Sequence, residues 1–149
     1  MTFTSNDALV MFGLTGDLGE KKLFPAIVEL INGGVLEGKV IAVGRSEVSD
    51  VELWQMLTDA TGESKDSLSD RLDLSYLQGD SQEADTYSQL SELLDGVDQP
   101  VVYAALPPHL FGGVAQGLSE AGMADGVRLV VEKPFGKDEA SARQLYEDI

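Results

Sequence analysis

Ala8-Leu9-Val10-Met11-Phe12-Gly13-Leu14-Thr15-Gly16-Asp17-Leu18-Gly19 joins an unbroken apolar run to a glycine-rich turn. The run is short and apolar at every position, as expected of a strand buried on both faces. Behind the turn, Lys21 and Lys22 open the polar start of a helix-like stretch in which Leu23, Ile27, Leu30 and Ile31 share one face. A strand, a glycine turn and a helix are how an α/β fold builds a nucleotide phosphate site. Glycines let the backbone approach phosphates, and the helix N-terminus offers unpaired N–H groups and the positive end of its dipole. The spacing is Gly-x-x-Gly-x-x-Gly rather than Gly-x-Gly-x-x-Gly, and an ordinary tight strand-to-helix turn would carry the same letters. A Walker-type loop is excluded, because Leu18 stands where its second glycine belongs and no Gly-Lys-Ser/Thr follows.

The rest of the chain alternates in the same way. Residues 40–43, 101–106 and 127–131 read as further buried strands, and 72–77 as a weaker one in which Leu72, Leu74 and Tyr76 or Leu77 compete for the inner face. Gly33-Gly34 ends the first helix. Pro25 within that helix predicts either a restart or a kink. A second helix is expected over 51–60 behind the cap Ser49-Asp50, then a polar loop over 62–70. Leu90, Leu93 and Leu94 mark a third helix, 111–121 a fourth and 140–146 a fifth. Such alternation predicts a doubly wound parallel sheet of Rossmann-like α/β type, one domain spanning 1–149, with ligands beyond the carboxyl ends of the strands. The last residues, 138–149, read as a helix in progress, which suits a domain boundary or a truncation.

With 149 residues the chain is long enough for one core, and it has no cysteine. No long apolar run or signal-peptide pattern is visible, so the cytoplasm is the default location. The net charge of −16, from 26 acidic against 10 basic residues, disfavours nucleic acid and anionic membranes. It reads as a solvated surface, although a salt-adapted source would give the same balance. An anionic cofactor must therefore meet positive groups concentrated locally, and Lys21, Lys22, Arg45 and Lys133 each fall beside an expected strand end or its helix.

The residues just past each strand are the informative ones. After the second strand, Gly44-Arg45-Ser46 places a guanidinium where a site that prefers NAD places a carboxylate. Arg45 could fork onto a 2′-phosphate, with Ser46 and Thr15 as added hydroxyl donors. Glu47 is the awkward neighbour. After the fourth strand, Leu106-Pro107-Pro108 makes a stiff wall. His109, the only histidine, has no paired carboxylate in sequence reach and reads as a solvated loop residue. After the fifth, Glu132-Lys133-Pro134-Phe135-Gly136 ends an apolar strand in charges, and Lys133 would point into the ligand crevice.

Taken in order, Gly13-x-x-Gly16-Asp17-Leu18, Lys22-x-x-Pro25, Gly44-Arg45, Ala105-Leu106-Pro107-Pro108 and Glu132-Lys133-Pro134-Phe135-Gly136 resemble the N-terminal coenzyme domain of the glucose-6-phosphate dehydrogenase family. The resemblance runs from about Asp7 to the end. It implies NADP bound along Gly13, Leu14, Thr15, Gly16, Asp17 and Leu18, with Thr15, Arg45 and Ser46 near the 2′-phosphate. It implies that Lys133 reaches both the nicotinamide end and the substrate glucose 6-phosphate, that Pro134 is cis, and that Asp80 neighbours the cofactor. The family's activity is NADP-dependent oxidation of glucose 6-phosphate to 6-phosphogluconolactone in the pentose phosphate pathway, by an enzyme that is homo-oligomeric at full length.

This sequence departs from the family in three ways. Gly19 replaces a usual alanine, which should loosen the turn. Phe111 replaces a tyrosine that some members place at the cofactor. The family's Arg-Ile-Asp-His-Tyr-Leu-Gly-Lys-Glu segment and β+α domain, which carry the base and the dimer interface, would come past Ile149, and His109 does not match the catalytic histidine. No catalytic residue is therefore assigned to this chain, and it is expected to be inactive alone. Two alternatives stand beside this reading: a freestanding NADP-binding module without catalysis, and the sugar oxidoreductases that share a Glu-Lys-Pro strand end. The latter normally carry Gly-x-Gly-x-x-Gly and Thr-Pro-Asn. Short-chain dehydrogenases are excluded, because no Tyr-x-x-x-Lys occurs.

Overall fold

In a computed structural model describing residues 8–16 and 19–131, the opening run forms β1, Ala8–Phe12, and all five of its residues are buried. Alternate side chains of a strand point to opposite faces, so a run apolar throughout needs cover on both. It has that cover: Leu9 and Met11 enter one core cluster, and Ala8, Val10 and Phe12 enter another. β2 (Gly38–Gly44), β3 (Leu72–Gln78), β4 (Val101–Ala104) and β5 (Arg128–Val131) complete one sheet of five strands in the order β3-β2-β1-β4-β5. Every pairing is parallel. The chain builds outward from β1 through β2 to β3, then returns across β1 to β4 and β5. That reversal puts the switch point at the carboxyl ends of β1 and β4, where such sheets bind ligands.

Helices α1 (Phe24–Asn32) and α2 (Asp50–Thr61) supply the first cluster with Phe24, Ile27, Ile31, Leu53, Trp54 and Leu57. Helices α4 (Ala84–Leu93) and α5 (Phe111–Glu120) cover the second face with Tyr87, Leu90, Val114 and Leu118. The competition within β3 has no single winner: Tyr76 packs on the first cluster and Leu77 lies in the second.

Pro25 resolves as a restart. A π-helical turn over Gly19–Leu23 precedes α1, which places Pro25 in the first turn, where its missing N–H costs nothing. At the other end of α1, Gly34 takes φ +73°, its N–H donates to Ile31 O at 3.1 Å, and that of Val35 to Leu30 O at 2.9 Å. This paired closure is the Schellman pattern. At the start of α2, Ser49 Oγ accepts from the Glu52 N–H at 3.1 Å while the Glu52 carboxylate accepts from the Ser49 N–H at 3.2 Å. Ser49→Ala is expected to lower stability by about 1 kcal/mol, read as a shifted urea midpoint with unchanged slope.

Some boundaries differ from expectation. The loop expected over 62–70 contains a short helix, α3 (Lys65–Leu68), capped by Ser64 and anchored by buried Leu68. One turn is too short for periodicity to reveal. β4 stops at Ala104, because the prolines that follow Leu106 bring no N–H to extend the ladder. β2 runs on to Gly38 and Gly44, and β5 begins at Arg128. Leu93 faces solvent at 40% exposure, and Tyr87 fills the inner face of α4 instead. The expected helix over 140–146 lies outside the described residues. No helix among those described is long and apolar enough to cross a membrane.

Candidate nucleotide-binding site

β1 ends at Phe12, and the next residue turns the chain across the top of the sheet. The Gly13 N–H donates to Val43 O at 3.1 Å, and the Ala105 N–H donates to Phe12 O at 2.9 Å, so the turn is pinned between β2 and β4. Gly13 takes φ +84°, and a Cβ there would overlap the Ala105 carbonyl. The Gly16 N–H then closes onto Gly13 O at 3.2 Å. Gly16 is exposed, its φ is not positive, and among the described residues a Cβ on it would meet only Gly13 O at an ordinary 3.5 Å. The chain's own packing thus demands glycine at 13 and not at 16. An open glycine at a strand end leaves backbone accessible to a ligand that must come close.

This turn forms one wall of a cavity of about 530 Å³. Gly13, Thr15 and Gly16 meet Gly44, Arg45 and Ser46 from the end of β2, Gly79 to Gln82 from the end of β3, and Leu106, Pro107 and His109 beyond β4. Arg45 is its one described side chain of fixed positive charge, and Asp80 its one described carboxylate. Asp80 accepts from the Gln82 N–H at 2.9 Å, which shapes the loop after β3. Glu47 is exposed and does not line the cavity. Among the described residues no cluster suits a metal ion.

The structure therefore gathers Gly13, Thr15, Gly16, Arg45 and Ser46 into one crevice, together with Asp80. Leu14 does not share it: its side chain is wholly buried in the first cluster and anchors the turn from below. Asp17, Leu18, Glu132, Lys133 and Pro134 lie outside the described residues. Phe111 is a core residue, 1% exposed and packed with Ala104. Gly19 does not loosen the turn. It is buried, and a Cβ there would overlap the Leu14 carbonyl, so the missing side chain allows a tighter approach. The helical segment expected behind the turn opens with the π-helical turn Gly19–Leu23, which carries Lys21 and Lys22 and runs directly into α1. Lys21 lies beside Met56, Asp59 and Ala60 of α2, away from the crevice.

Sequence reasoning missed the contribution of β3. Tyr76 donates its hydroxyl to Ser46 O at 2.7 Å and also hydrogen-bonds the Thr15 side chain. Burial raises its pKa, and the Thr15 bond opposes that shift. A tyrosine hydroxyl has one proton, and here Ser46 O takes it, so Thr15 is the donor to Tyr76. Gly44 makes room for this arrangement: a Cβ there would lie 2.7 Å from Tyr76 Oη and 3.3 Å from Thr15 Oγ1. Deeper in, Tyr87 donates to Ser81 O at 2.5 Å, and burial followed by the Asp80 charge pushes its pKa well above the ordinary value. Gln82 and Ser81 follow no pattern that marks them before folding.

Residues 10–149 match the family model described as glucose-6-phosphate dehydrogenase, NAD binding domain. Glucose-6-phosphate 1-dehydrogenase 1 of Mycobacterium bovis is 35% identical over 146 residues, which cover 95% of this chain and 31% of that protein. The crystal structure of glucose-6-phosphate 1-dehydrogenase from Mycobacterium avium superposes with a TM-score of 0.84 at 37% identity, over 95% of this chain and 33% of that one. A glucose-6-phosphate dehydrogenase in complex with its substrate glucose-6-phosphate gives 0.83 at 31% identity, over 99% of this chain and 34% of that one. This chain thus spans about a third of the length of these relatives. With the glycine turn, the parallel sheet and the crevice at its switch point, the match places the chain in the glucose-6-phosphate dehydrogenase family, as its nicotinamide-dinucleotide-binding domain.

Proposed function

We propose that residues 1–149 form the coenzyme-binding domain of a glucose-6-phosphate 1-dehydrogenase that uses NADP, oxidising glucose 6-phosphate to 6-phosphogluconolactone in the cytoplasmic pentose phosphate pathway. The observation that carries the choice of NADP is that Arg45 and Ser46 face the glycine turn across one crevice, with no carboxylate in their place. The guanidinium supplies a forked, permanently charged donor for a 2′-phosphate, and Ser46 adds a hydroxyl. The exposed backbone at Gly16 suits close approach by the pyrophosphate. When bound, the nicotinamide accepts hydride from C1 of the sugar. The chain's own work is to bind and orient: Arg45 and Ser46 at the phosphate end, the turn in the middle, and the Leu106-Pro107 wall opposite. Asp17 and Leu18 continue the turn in this reading, Asp80 lies beside the cofactor, and Lys133 is assigned to the nicotinamide end and the sugar phosphate. The base that deprotonates the C1 hydroxyl, and the interface of a homo-oligomer, are assigned to the remainder of a longer protein.

Calorimetric titration of this chain with NADP, NAD and adenosine 2′-phosphate tests the reading. NADP is expected to bind at least about ten-fold more tightly than NAD, the scale of one charge-assisted contact, with adenosine 2′-phosphate competing for the same site. Equal affinity for NADP and NAD would remove the role given to Arg45. With NADP and glucose 6-phosphate together, the chain alone is expected to show no sustained NADPH absorbance.

A further inference from the structure

Three contacts from β3 hold the segment that runs from Arg45 to the first residue of α2. Tyr76 Oη donates to Ser46 O at 2.7 Å, and Gln78 Nε2 donates to Arg45 O at 3.2 Å. The Tyr76 N–H donates to the Asp50 carboxylate at 3.0 Å, which ties the same strand to the first residue of α2. Thr15 adds a fourth link, donating its hydroxyl to Tyr76. The result is a relay from the glycine turn through the β3 tyrosine to the β2 loop: Thr15 Oγ to Tyr76 Oη to Ser46 O.

Resting on the NADP reading above, we propose that Tyr76, assisted by Gln78, is a positioning residue that sets the preference of this site for a 2′-phosphorylated ribose. Residues 45–47 are exposed and follow the end of a strand, so without anchors they would sample many conformations. An anion in the crevice is repelled by any backbone carbonyl that swings toward it. With both carbonyls held by β3 donors, the loop meets a phosphate through its guanidinium and hydroxyl. Less ordering is then left to do on binding, and affinity rises accordingly. A dinucleotide without the 2′-phosphate makes no use of this loop and gains nothing from the relay. Tyr76 therefore acts on the ratio of two affinities, not on nucleotide binding at large. Its ring packs on the first core cluster, and Gly44 leaves the space its hydroxyl occupies.

Tyr76→Phe keeps the ring and deletes only the relay, and calorimetry with NADP and NAD on this chain and the variant decides the matter. The expected result is a fall of about three- to ten-fold in NADP affinity, the scale of one lost neutral hydrogen bond, with NAD affinity unchanged within error. An unchanged NADP-to-NAD ratio, or an equal loss for both cofactors, overturns the role of Tyr76. Absence of any preference in the unaltered chain overturns the cofactor reading itself, and the proposal falls with it. Should Tyr76→Phe fail to fold by circular dichroism, Gln78→Ala serves instead. It removes the bond to Arg45 O alone and is expected to lower the same ratio by about two- to five-fold, and a constant ratio overturns the clamp.

Discussion

Gly13→Ala is expected to remove about 2–5 kcal/mol of stability, enough to unfold much of a marginal domain. Two costs add. The residue sits at φ +84°, where a side chain costs about 1–2 kcal/mol. Its Cβ would also overlap the Ala105 carbonyl, and overpacking against a fixed neighbour costs about 1–3 kcal/mol more. Ala105 cannot step aside cheaply, because its N–H is bonded to Phe12 O at the centre of the sheet. Gly16→Ala is the matched comparison: its φ is unstrained and its surroundings open, so stability should stay within about 1 kcal/mol, with a slight gain allowed from a stiffer unfolded chain. Urea unfolding of the two variants separates the roles. Equal midpoints would mean that the fold does not require glycine at position 13. In the same pair, Gly16→Ala should fold and still bind dinucleotide more weakly, because its methyl occupies the approach to the turn.

The second large effect is on cofactor choice. Arg45→Leu is expected to cost about ten- to a hundred-fold in NADP affinity, corresponding to about 1.5–3 kcal/mol for hydrogen bonds to a charged group, while NAD changes by less than about two-fold. Arg45 is exposed, and among the described residues its guanidinium has no carboxylate partner, so the variant should fold as the parent does. The parent's NADP affinity should also fall as salt rises, and the variant's should fall less, because the screened charge is gone. A variant that keeps full discrimination would move the phosphate contact elsewhere. Tyr76→Phe should shift the same ratio in the same direction by a smaller factor, since it loosens the loop and leaves the charge.

Both predictions concern positions that the letters alone announced, and for different reasons. The run Ala8 to Phe12 had to be buried on both faces because it is apolar at every position, and each face is filled. Gly13 was legible as a turn because a strand so apolar needs an abrupt exit. Arg45 alone reads as a surface arginine, and it stood out only because it follows a second strand end in a chain whose first strand opens into a glycine turn. Phe111 shows the limit of reading by position. It sits beside a prolyl loop at the ligand edge, yet the turn over residues 108–110 rotates it into the core. Leu93 shows another limit. It completes a leucine cluster in sequence, but three residues from Leu90 carries it past the buried stripe, and Tyr87 takes the inner face.

Local sequence determined the alternation, the parallel sheet, the capped start of α2 and two of the strand ends that line the crevice, those of β1 and β2. Those features follow from short-range physics: periodicity of apolar side chains, turn chemistry and caps within a few residues. Tertiary structure alone decided which donors reach across it. Tyr76 and Ser46 are separated by 30 residues and meet only because β2 and β3 pair in register, Ala42 opposite Tyr76 and Gly44 opposite Gln78. No composition or spacing encodes that meeting, because a hydrogen bond between strands depends on how the sheet stacks them. The glycine turn marked where a phosphate would bind, and strand register determined what holds the loop that would recognise it.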